Sequence, residues 1–180
     1  MDNRQTLKDL LDSQAFERRQ VVLSSGKTSH YYFDGRKVSL NPQGAFCIAQ
    51  IICDMLKGEN VEAVGGLTMG ADPIVGAIGP EAYRQGLKLS LFIVRKELKE
   101  HGTKQQIEGP PLKAGQRVVI VDDVLTTGGS IIKAVQAVRE IGCQVVKAIV
   151  LVDRQEGGAQ ALAQLGVKVE SIFTAKDFGL

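Results

Sequence analysis

Four runs along the chain are largely apolar at both odd and even positions. They are AVGGL at 63–67, LSLFIV at 89–94, VVIV at 118–121 and VVKAIVLV at 145–152. A last strand is expected at VKVESIF, 167–173. A strand with one solvated face alternates apolar and polar residues, whereas a strand buried on both faces does not. The pattern therefore predicts strands of a mostly parallel sheet that is covered on both sides.

Helical patterns separate these runs and predict the covering layers. A helix start is indicated at Asn41 and Pro42, because asparagine caps a helix and proline suits its first turn. Helices are predicted from there to near Gly58, then over 71–85, over 130–141 with Gly142 as the stop, and over 160–165. Alternating strands and helices place the chain in the α/β class, with a central sheet flanked by helices.

The first 40 residues depart from this alternation. The first 16 are charged throughout and place Leu7, Leu10 and Leu11 on one stripe, which predicts an amphipathic helix rather than a signal peptide. A short strand is expected at 21–23, and Asp34-Gly35 predicts a hairpin turn between two strand-like runs. We expect one domain over 1–180, in which these 40 residues contribute to a small hood.

Composition narrows the class of protein. The 180 residues carry a net charge of +2, from 22 basic and 20 acidic residues, so neither nucleic acid nor a membrane surface is expected as a partner. No apolar run reaches the ~20 residues of a membrane span. The three cysteines form no Cys-x-x-Cys pair, which argues against a disulfide framework or zinc site and favours a cytoplasmic location.

Residues 95–109 form a long polar stretch between two predicted core strands. Connections of that length in a compact domain are often active-site lids. The stretch carries Arg95, Lys96, Lys99 and His101, which could meet an anionic ligand. The alternative is a solvated charged helix, since Lys96 and the glutamate at 100 have ion-pair spacing.

The segment VVIVDDVLTTGGS at 118–130 combines groups that suit a sugar phosphate. Ligands of open parallel sheets bind beyond the carboxyl ends of the strands, where Asp122 and Asp123 are expected. Ionised carboxylates only accept hydrogen bonds, and a ribose diol offers two neighbouring donors. The small residues 126–130 precede a helix whose N-terminal amides could bind phosphate. The alternative is an ordinary strand–turn–helix with Thr or Ser as its cap.

Two nucleotide-binding motifs are excluded. SSGKTS at 24–29 resembles the end of a P-loop, but Val21 occupies the position where that motif requires glycine. The glycines at 128 and 129 do not extend into Gly-x-Gly-x-x-Gly, so a dinucleotide fold is not indicated.

VVIVDDVLTTGGS resembles the phosphoribosyl pyrophosphate (PRPP) motif of type I phosphoribosyltransferases. RKELKEHG at 95–102 resembles the mobile catalytic loop of orotate phosphoribosyltransferases, and SGKTSHYYFDGRKVSL resembles their hood. The resemblance covers nearly the whole chain. It implies transfer of the 5-phosphoribosyl group from PRPP to orotate, giving orotidine 5′-monophosphate and pyrophosphate in UMP biosynthesis. It further implies Mg²⁺ carried by PRPP without an assigned protein ligand, and a homodimer in which residues 95–109 act across the interface.

The resemblance also implies residue roles. Orotate would contact Thr126 and Arg154, while Lys99, His101 and Asp123 would be catalytic. PRPP would bind Arg95, Lys96, Lys99, His101, Asp122, Asp123, Val124, Leu125, Thr126, Thr127, Gly128, Gly129 and Ser130.

Alternatives to these roles remain open. Arg154 could be a surface arginine paired with Asp153 or Glu156. The aromatic residues 31–33 could frame the base or form hood core. The competing functions are a purine phosphoribosyltransferase and a regulator that keeps the fold and binds PRPP without chemistry.

Two positions depart from the family pattern. Many members have lysine where this chain has Ser24, and many have lysine in the loop that here reads GLTMGADP. Backbone amides of residues 68–70 would then face the pyrophosphate, and Lys27 is a candidate to compensate.

Overall fold

The fold was analysed in a computed structural model, which describes residues 2–17, 20–22, 28–29, 31–97 and 106–180. The strands are β1 (Phe16–Glu17), β2 (Val21–Val22), β3 (Thr28–Ser29), β4 (Tyr32–Phe33), β5 (Ala63–Leu67), β6 (Ser90–Val94), β7 (Ile107–Glu108), β8 (Arg117–Leu125), β9 (Gln144–Asp153) and β10 (Lys168–Thr174). The α-helices are α1 (Asn3–Leu10), α2 (Arg36–Ser39), α3 (Pro42–Leu56), α4 (Ala71–Arg84), α5 (Gly129–Glu140) and α6 (Gly158–Gln164). A π-helical turn, Leu11–Ala15, extends α1, and a 3₁₀ turn, Ala175–Phe178, follows β10.

Six strands form the central sheet in the order β10-β9-β8-β5-β6-β7. Neighbours are parallel except β7, which pairs antiparallel with β6 at one edge. Two short antiparallel pairs, β1 with β4 and β2 with β3, lie near the N-terminus. The predicted α/β class and mostly parallel sheet are confirmed, and the short N-terminal pairs lie outside this sheet. The short strand β7 was not predicted.

The sheet separates two apolar clusters, which explains the continuous apolar runs. On β8, Val119 and Val121 join the cluster that contains α1, α3 and α4 residues. Val118 and Ile120 point to the other cluster, with α5 and α6. Because both faces are buried, both sets of alternate positions must be apolar. Within the described ranges, no helix has the length and apolar character to cross a membrane.

The predicted hairpin turn at Asp34-Gly35 is wrong. A two-residue hairpin turn of the common type needs positive φ at its central residues, but Gly35 has φ −62°. The Asp34 carboxylate instead accepts a hydrogen bond from the backbone N–H of Arg36 at 3.2 Å, and α2 begins there. The strand β4, which precedes Asp34, pairs with β1, with Phe33 opposite Phe16.

The strand β8 continues through Leu125, beyond the predicted end at Val121. It does so because β9 extends alongside, with Asp122 in register with Val150 and Leu125 with Asp153. Asp122 and Asp123 therefore lie within β8, near the end of its pairing with β9, and not after the end of the strand. The starts of α3, α4 and α5 and the stop at Gly142 agree with the sequence to within about one residue.

Candidate active site

Two adjoining clefts, of about 560 and 330 Å³, lie at the carboxyl ends of β5 and β8. They share Leu67, Lys96, Asp122, Val124, Thr126 and Ser130. The larger also includes Leu125, Thr127, Gly128, Gly129, Ile131 and Lys133, whereas the smaller adds Tyr32, Phe33, Asp34, Arg36, Thr68, Met69, Gly70 and Asp123. The segment 122–130 therefore lines one continuous region, as its motif predicts.

The end of the larger cleft is the N-terminus of α5. Gly128 is the N-cap of this helix and has φ +88°, a conformation that suits glycine. As a glycine it has no side chain that could cap the helix. The carbonyl of Thr126 accepts a hydrogen bond from the N–H of Gly158 at 2.9 Å, which ties the preceding turn to α6. The first-turn amides of α5 have no partner within the helix, so they and the hydroxyls of residues 126–130 can bind a phosphate.

Asp122 and Asp123 are almost buried, with 6% and 8% of their surface exposed. The N–H of Asp123 donates to Asp122 Oδ1 at 3.0 Å. Burial raises the pKa of Asp122 well above its ordinary value, and the neighbouring charge of Asp123 raises it further. Burial also raises the pKa of Asp123, but the positive charge of Arg36 opposes that effect. Asp123 is thus the better candidate for an ionised acceptor.

The two carboxylates converge, although neighbouring side chains on a strand normally point apart. A Cβ built on Gly70 would lie 2.3 Å from Asp122 Oδ1 and 2.7 Å from Asp123 Oδ1. Both oxygens therefore approach the same point on the backbone of the loop after β5. The glycine at position 70 leaves room for this arrangement. The two carboxylates can therefore accept hydrogen bonds from two neighbouring hydroxyls.

Asp34 and Arg36 are site residues that the sequence reasoning missed. Their fork is nearly ideal: Arg36 Nε is 2.8 Å from Asp34 Oδ1, and Nη2 is 3.1 Å from Oδ2. The pair lines the smaller cleft beside Asp123. The motif Asp-Gly-Arg places an acid and a base on either side of a glycine, which could have indicated an ion pair and a close contact of the glycine backbone. The dipeptide Asp-Gly was interpreted as a hairpin turn.

Arg154 lies directly after β9 and is 7% exposed, so it is not a surface arginine. Its Nε is 2.8 Å from Glu156 Oε1, and its guanidinium stacks 4.4 Å from the ring centre of Tyr31. Its N–H donates to Leu125 O at 2.9 Å, next to Thr126. Thus the two residues expected to contact orotate follow strands that are neighbours in the sheet.

The three aromatic residues 31–33 divide between core and cleft. Phe33 is buried, its ring centre lies 4.8 Å from that of Phe16 in the core, and it also borders the smaller cleft. Tyr32 lines the smaller cleft, and Tyr31 packs between Phe16 and Arg154.

The predicted basic loop is only partly described. Lys96 is exposed and borders both clefts. Arg95 lies 3.3 Å from Glu108 and is not among the described lining residues of either cleft. Lys99 and His101 fall outside the described residues, as do Ser24 and Lys27, so the predictions about them stay predictions.

The loop after β5 borders the smaller cleft without a lysine. Thr68, Met69 and Gly70 line it, and Thr68 Oγ1 donates to Asp72 Oδ2 at 2.7 Å. The bond between Thr68 and Met69 is a cis peptide. The described lining of the cleft therefore includes no charged side chain from this loop.

Metal binding by the protein alone is not supported by the donors described. Across residues 31–97 and 106–180 and the shorter N-terminal ranges, no three His, Cys, Asp or Glu side chains converge to hold an ion. Mg²⁺ commonly keeps several waters and binds through one or two carboxylates together with substrate phosphates. The side chains present do not form a closed magnesium site of their own.

Comparison with known proteins finds the same fold and sequence features elsewhere. Residues 41–172 match the phosphoribosyl transferase domain family. Orotate phosphoribosyltransferase of Nostoc sp. is 46% identical over 97% of the chain and 84% of its own length. The enzyme of that name from Rhodopseudomonas palustris strain BisB5 is 42% identical over 98% of the chain and 96% of its own. The crystal structure of Mycobacterium tuberculosis orotate phosphoribosyltransferase with PRPP superposes with a TM-score of 0.82, at 35% identity, and covers 99% of both chains.

Proposed function

This chain belongs to the orotate phosphoribosyltransferase family, and from that premise we propose that its two clefts form one active site for PRPP and orotate. It is a pentosyltransferase that transfers the 5-phosphoribosyl group of PRPP to orotate in pyrimidine biosynthesis. The products are orotidine 5′-monophosphate and pyrophosphate.

The observation that carries this proposal is the joint position of the acidic pair and the turn before α5. Asp122 and Asp123 converge on one point, and residues 126–130 border the same cleft. The carboxylates would accept hydrogen bonds from the ribose hydroxyls, while the turn would bind the 5′-phosphate. Val124 and Leu125 would shape the wall between these groups.

The reaction needs stabilisation of two charges. The anomeric carbon becomes oxocarbenium-like as pyrophosphate leaves, and the leaving group gains negative charge. Asp123 is proposed as the catalytic carboxylate beside the sugar, while Arg95, Lys96, Lys99 and His101 are proposed to meet the pyrophosphate. Closure of this basic segment would also exclude water. The position of Lys96 at both clefts supports that assignment.

Mg²⁺ is proposed as the cofactor, carried by the pyrophosphate group of PRPP. When bound, it would neutralise phosphate charge. Mg²⁺ commonly binds through one or two carboxylates together with substrate phosphates, which is consistent with an ion held mainly by the substrate.

We further propose a homodimer in which residues 95–109 act across the interface. We propose one domain over 1–180 with a hood from residues 1–40. A cytoplasmic location is supported by three buried cysteines, none of which forms a disulfide.

Arg154 is proposed to bind the orotate carboxylate with its planar fork. Arg154→Lys keeps the charge but loses the fork and the stacking on Tyr31, so we expect KM for orotate to rise on the order of 10-fold or more. KM for PRPP should change little. Steady-state kinetics with each substrate varied would measure both constants. Arg139→Lys is the matched control, because Arg139 lies on α5 and donates to Leu165 O. Equal increases of both constants would contradict a specific role in orotate binding.

The proposed activity is tested by initial rates with PRPP, Mg²⁺ and one base at a time. We expect loss of orotate absorbance and no turnover of adenine, hypoxanthine or xanthine. Turnover of a purine without orotate would make the chain a purine phosphoribosyltransferase. PRPP binding without turnover of any base would identify the regulator.

A further inference from the structure

The segment 34–36 lies against the carboxylate of Asp123. A Cβ built on Gly35 would be 2.9 Å from both Cβ and Oδ2 of Asp123. The backbone at Gly35 therefore covers one side of the carboxylate, while Gly70 approaches Oδ1 from the other. Neither glycine can offer a side-chain donor. The residue that follows Gly35 is Arg36, which carries a positive charge and lines the same cleft as Asp123.

Arg36 is the cation that this segment brings to Asp123. Both oxygens of Asp34 hold its guanidinium, at 2.8 and 3.1 Å. The arginine fork has five N–H donors, and this contact occupies only part of it. Because Asp34 fixes the long side chain in place, Arg36 is oriented before any ligand arrives.

Besides Arg36, the described groups around Asp123 comprise two acids, a tyrosine and Lys96. Asp122 precedes it on β8, and Asp34 faces it from the start of α2. Tyr32 of β4 and Lys96 after β6 border the same cleft, and the loop after β5 contributes the neutral Thr68, Met69 and Gly70. Burial raises the pKa of Asp123, and among these groups the positive charge of Arg36 makes the largest opposing contribution.

We propose that Arg36, held in place by Asp34, is a positioning residue that maintains Asp123 as the acceptor for the ribose hydroxyls of PRPP. This role rests on the proposed function of the site. Without Arg36, two buried acids would share one small volume with less positive charge nearby. The neutral form of Asp123 would then be favoured, and a protonated acid has lost one acceptor position.

The alternative role for Arg36 is direct contact with the pyrophosphate. A residue that contacts the leaving group would contribute at every pH at which both partners are charged. A residue that acts through Asp123 would matter most at low pH, where that carboxylate is closest to protonation. The pH dependence therefore distinguishes the two roles.

The test compares Arg36→Gln with Lys37→Gln across a pH series. Lys37 is the matched control because it is the next residue of the same helix and its loss changes the net charge equally. Lys37 Nζ lies 2.6 Å from Glu17 Oε1. The Lys37 side chain is 43% exposed, compared with 42% for the Arg36 side chain. Lys37 is not among the described residues that line the two clefts. Arg36→Lys and Asp34→Asn complete the set, with thermal midpoints recorded for each variant.

For Arg36→Gln we expect kcat/KM for PRPP to fall about tenfold at acidic pH, which is the effect of one pKa unit on a carboxylate. The acid limb should move to higher pH, because removal of the positive charge raises the pKa of Asp123. The loss should shrink as the pH rises. Lys37→Gln should follow the unaltered chain, and Arg36→Lys should lie between them.

Asp34→Asn separates position from charge. By charge alone, removal of the Asp34 carboxylate would move the acid limb to lower pH, since Asp34 itself raises the pKa of Asp123. If Asp34 is needed to hold the guanidinium of Arg36 in place, the acid limb of the kcat/KM profile moves to higher pH, as for Arg36→Gln. Movement to lower pH would overturn the part of the proposal that concerns Asp34.

A loss that is equal at every pH, or no loss at all, would overturn the role of Arg36. PRPP binding by calorimetry over the same pH series gives a second readout that needs no turnover. A chain that binds PRPP with the expected pH shift but turns over no orotate would contradict the proposed function and support the role of Arg36. If the unaltered chain turns over orotate but Arg36→Gln behaves like Lys37→Gln, the proposed function is supported and the role of Arg36 is contradicted.

Discussion

Asp123→Asn is expected to lower kcat/KM for PRPP on the order of 100-fold, the largest loss among substitutions of the acidic pair. An ionised acceptor for two hydroxyl donors is replaced by an amide, and hydrogen bonds to charged groups contribute about 1.5–3 kcal/mol each. Asp123 is the member of the pair that Arg36 favours in its charged form. KM for orotate should change far less, since the carboxylate addresses the sugar.

Asp122→Asn should cost about tenfold or less by the same reasoning. Burial and the charge of Asp123 both raise the pKa of Asp122, so its neutral form is the easier one to populate. An asparagine resembles that neutral form, and its Oδ1 can still accept from the N–H of Asp123 as Asp122 does at 3.0 Å.

Initial rates with PRPP varied at saturating orotate would measure both losses. Asp54→Asn is a suitable control, because Asp54 is an exposed partner of Lys57 on α3. If Asp122→Asn proved more damaging than Asp123→Asn, the assignment of the charged acceptor would be reversed. If neither substitution changed KM or kcat for PRPP, the sugar would have to bind elsewhere.

Gly70→Ala is expected to reduce kcat/KM for PRPP by about 100-fold through displacement of the acidic pair. The new methyl would lie 2.3 Å from Asp122 Oδ1 and 2.7 Å from Asp123 Oδ1, so these atoms must move. A displacement of about 1 Å in a catalytic constellation can cost that factor. Gly70 has φ −62°, which alanine accepts, so the effect would come from the side chain and not from the backbone.

Gly76→Ala is the matched control, because Gly76 lies in α4 just after Gly70 and a Cβ there meets nothing within 4 Å. It should keep full activity and gain about 0.5–1 kcal/mol of stability, as alanine is the better helix residue. Gly70→Ala should lose about 1–3 kcal/mol of unfolding free energy from overpacking. Denaturant unfolding and steady-state kinetics measure the two quantities. Full activity in Gly70→Ala would show that the acids can reach the ligand from another position.

The strands and most helix ends could be predicted from the sequence because their causes are local. The apolar run at 118–121 reflects burial on both faces, and Asn41 caps α3 with its own side chain, 2.9 Å from the N–H of Gln43. Gly142 ends α5 with φ +91°. The chemistry of the 122–130 segment was equally readable, since a diol acceptor and a phosphate-binding turn follow one another along the chain.

The composition of the complete site depended on tertiary contacts, which no local pattern encodes. The strand β8 reaches Leu125 because β9 pairs with it as far as that residue. Gly70, on the loop after β5, leaves room for the side-chain oxygens of two neighbouring strand residues to converge.

The sequence by itself thus identified the sugar-phosphate ligand and the class of fold. The tertiary structure decided that the positive charge of Arg36 opposes the effect of burial at Asp123, because the pKa of a buried carboxylate depends on burial and on charges contributed by distant parts of the chain. It also placed Arg36 beside Asp123 and Arg154 over Tyr31, contacts between elements that are far apart in sequence.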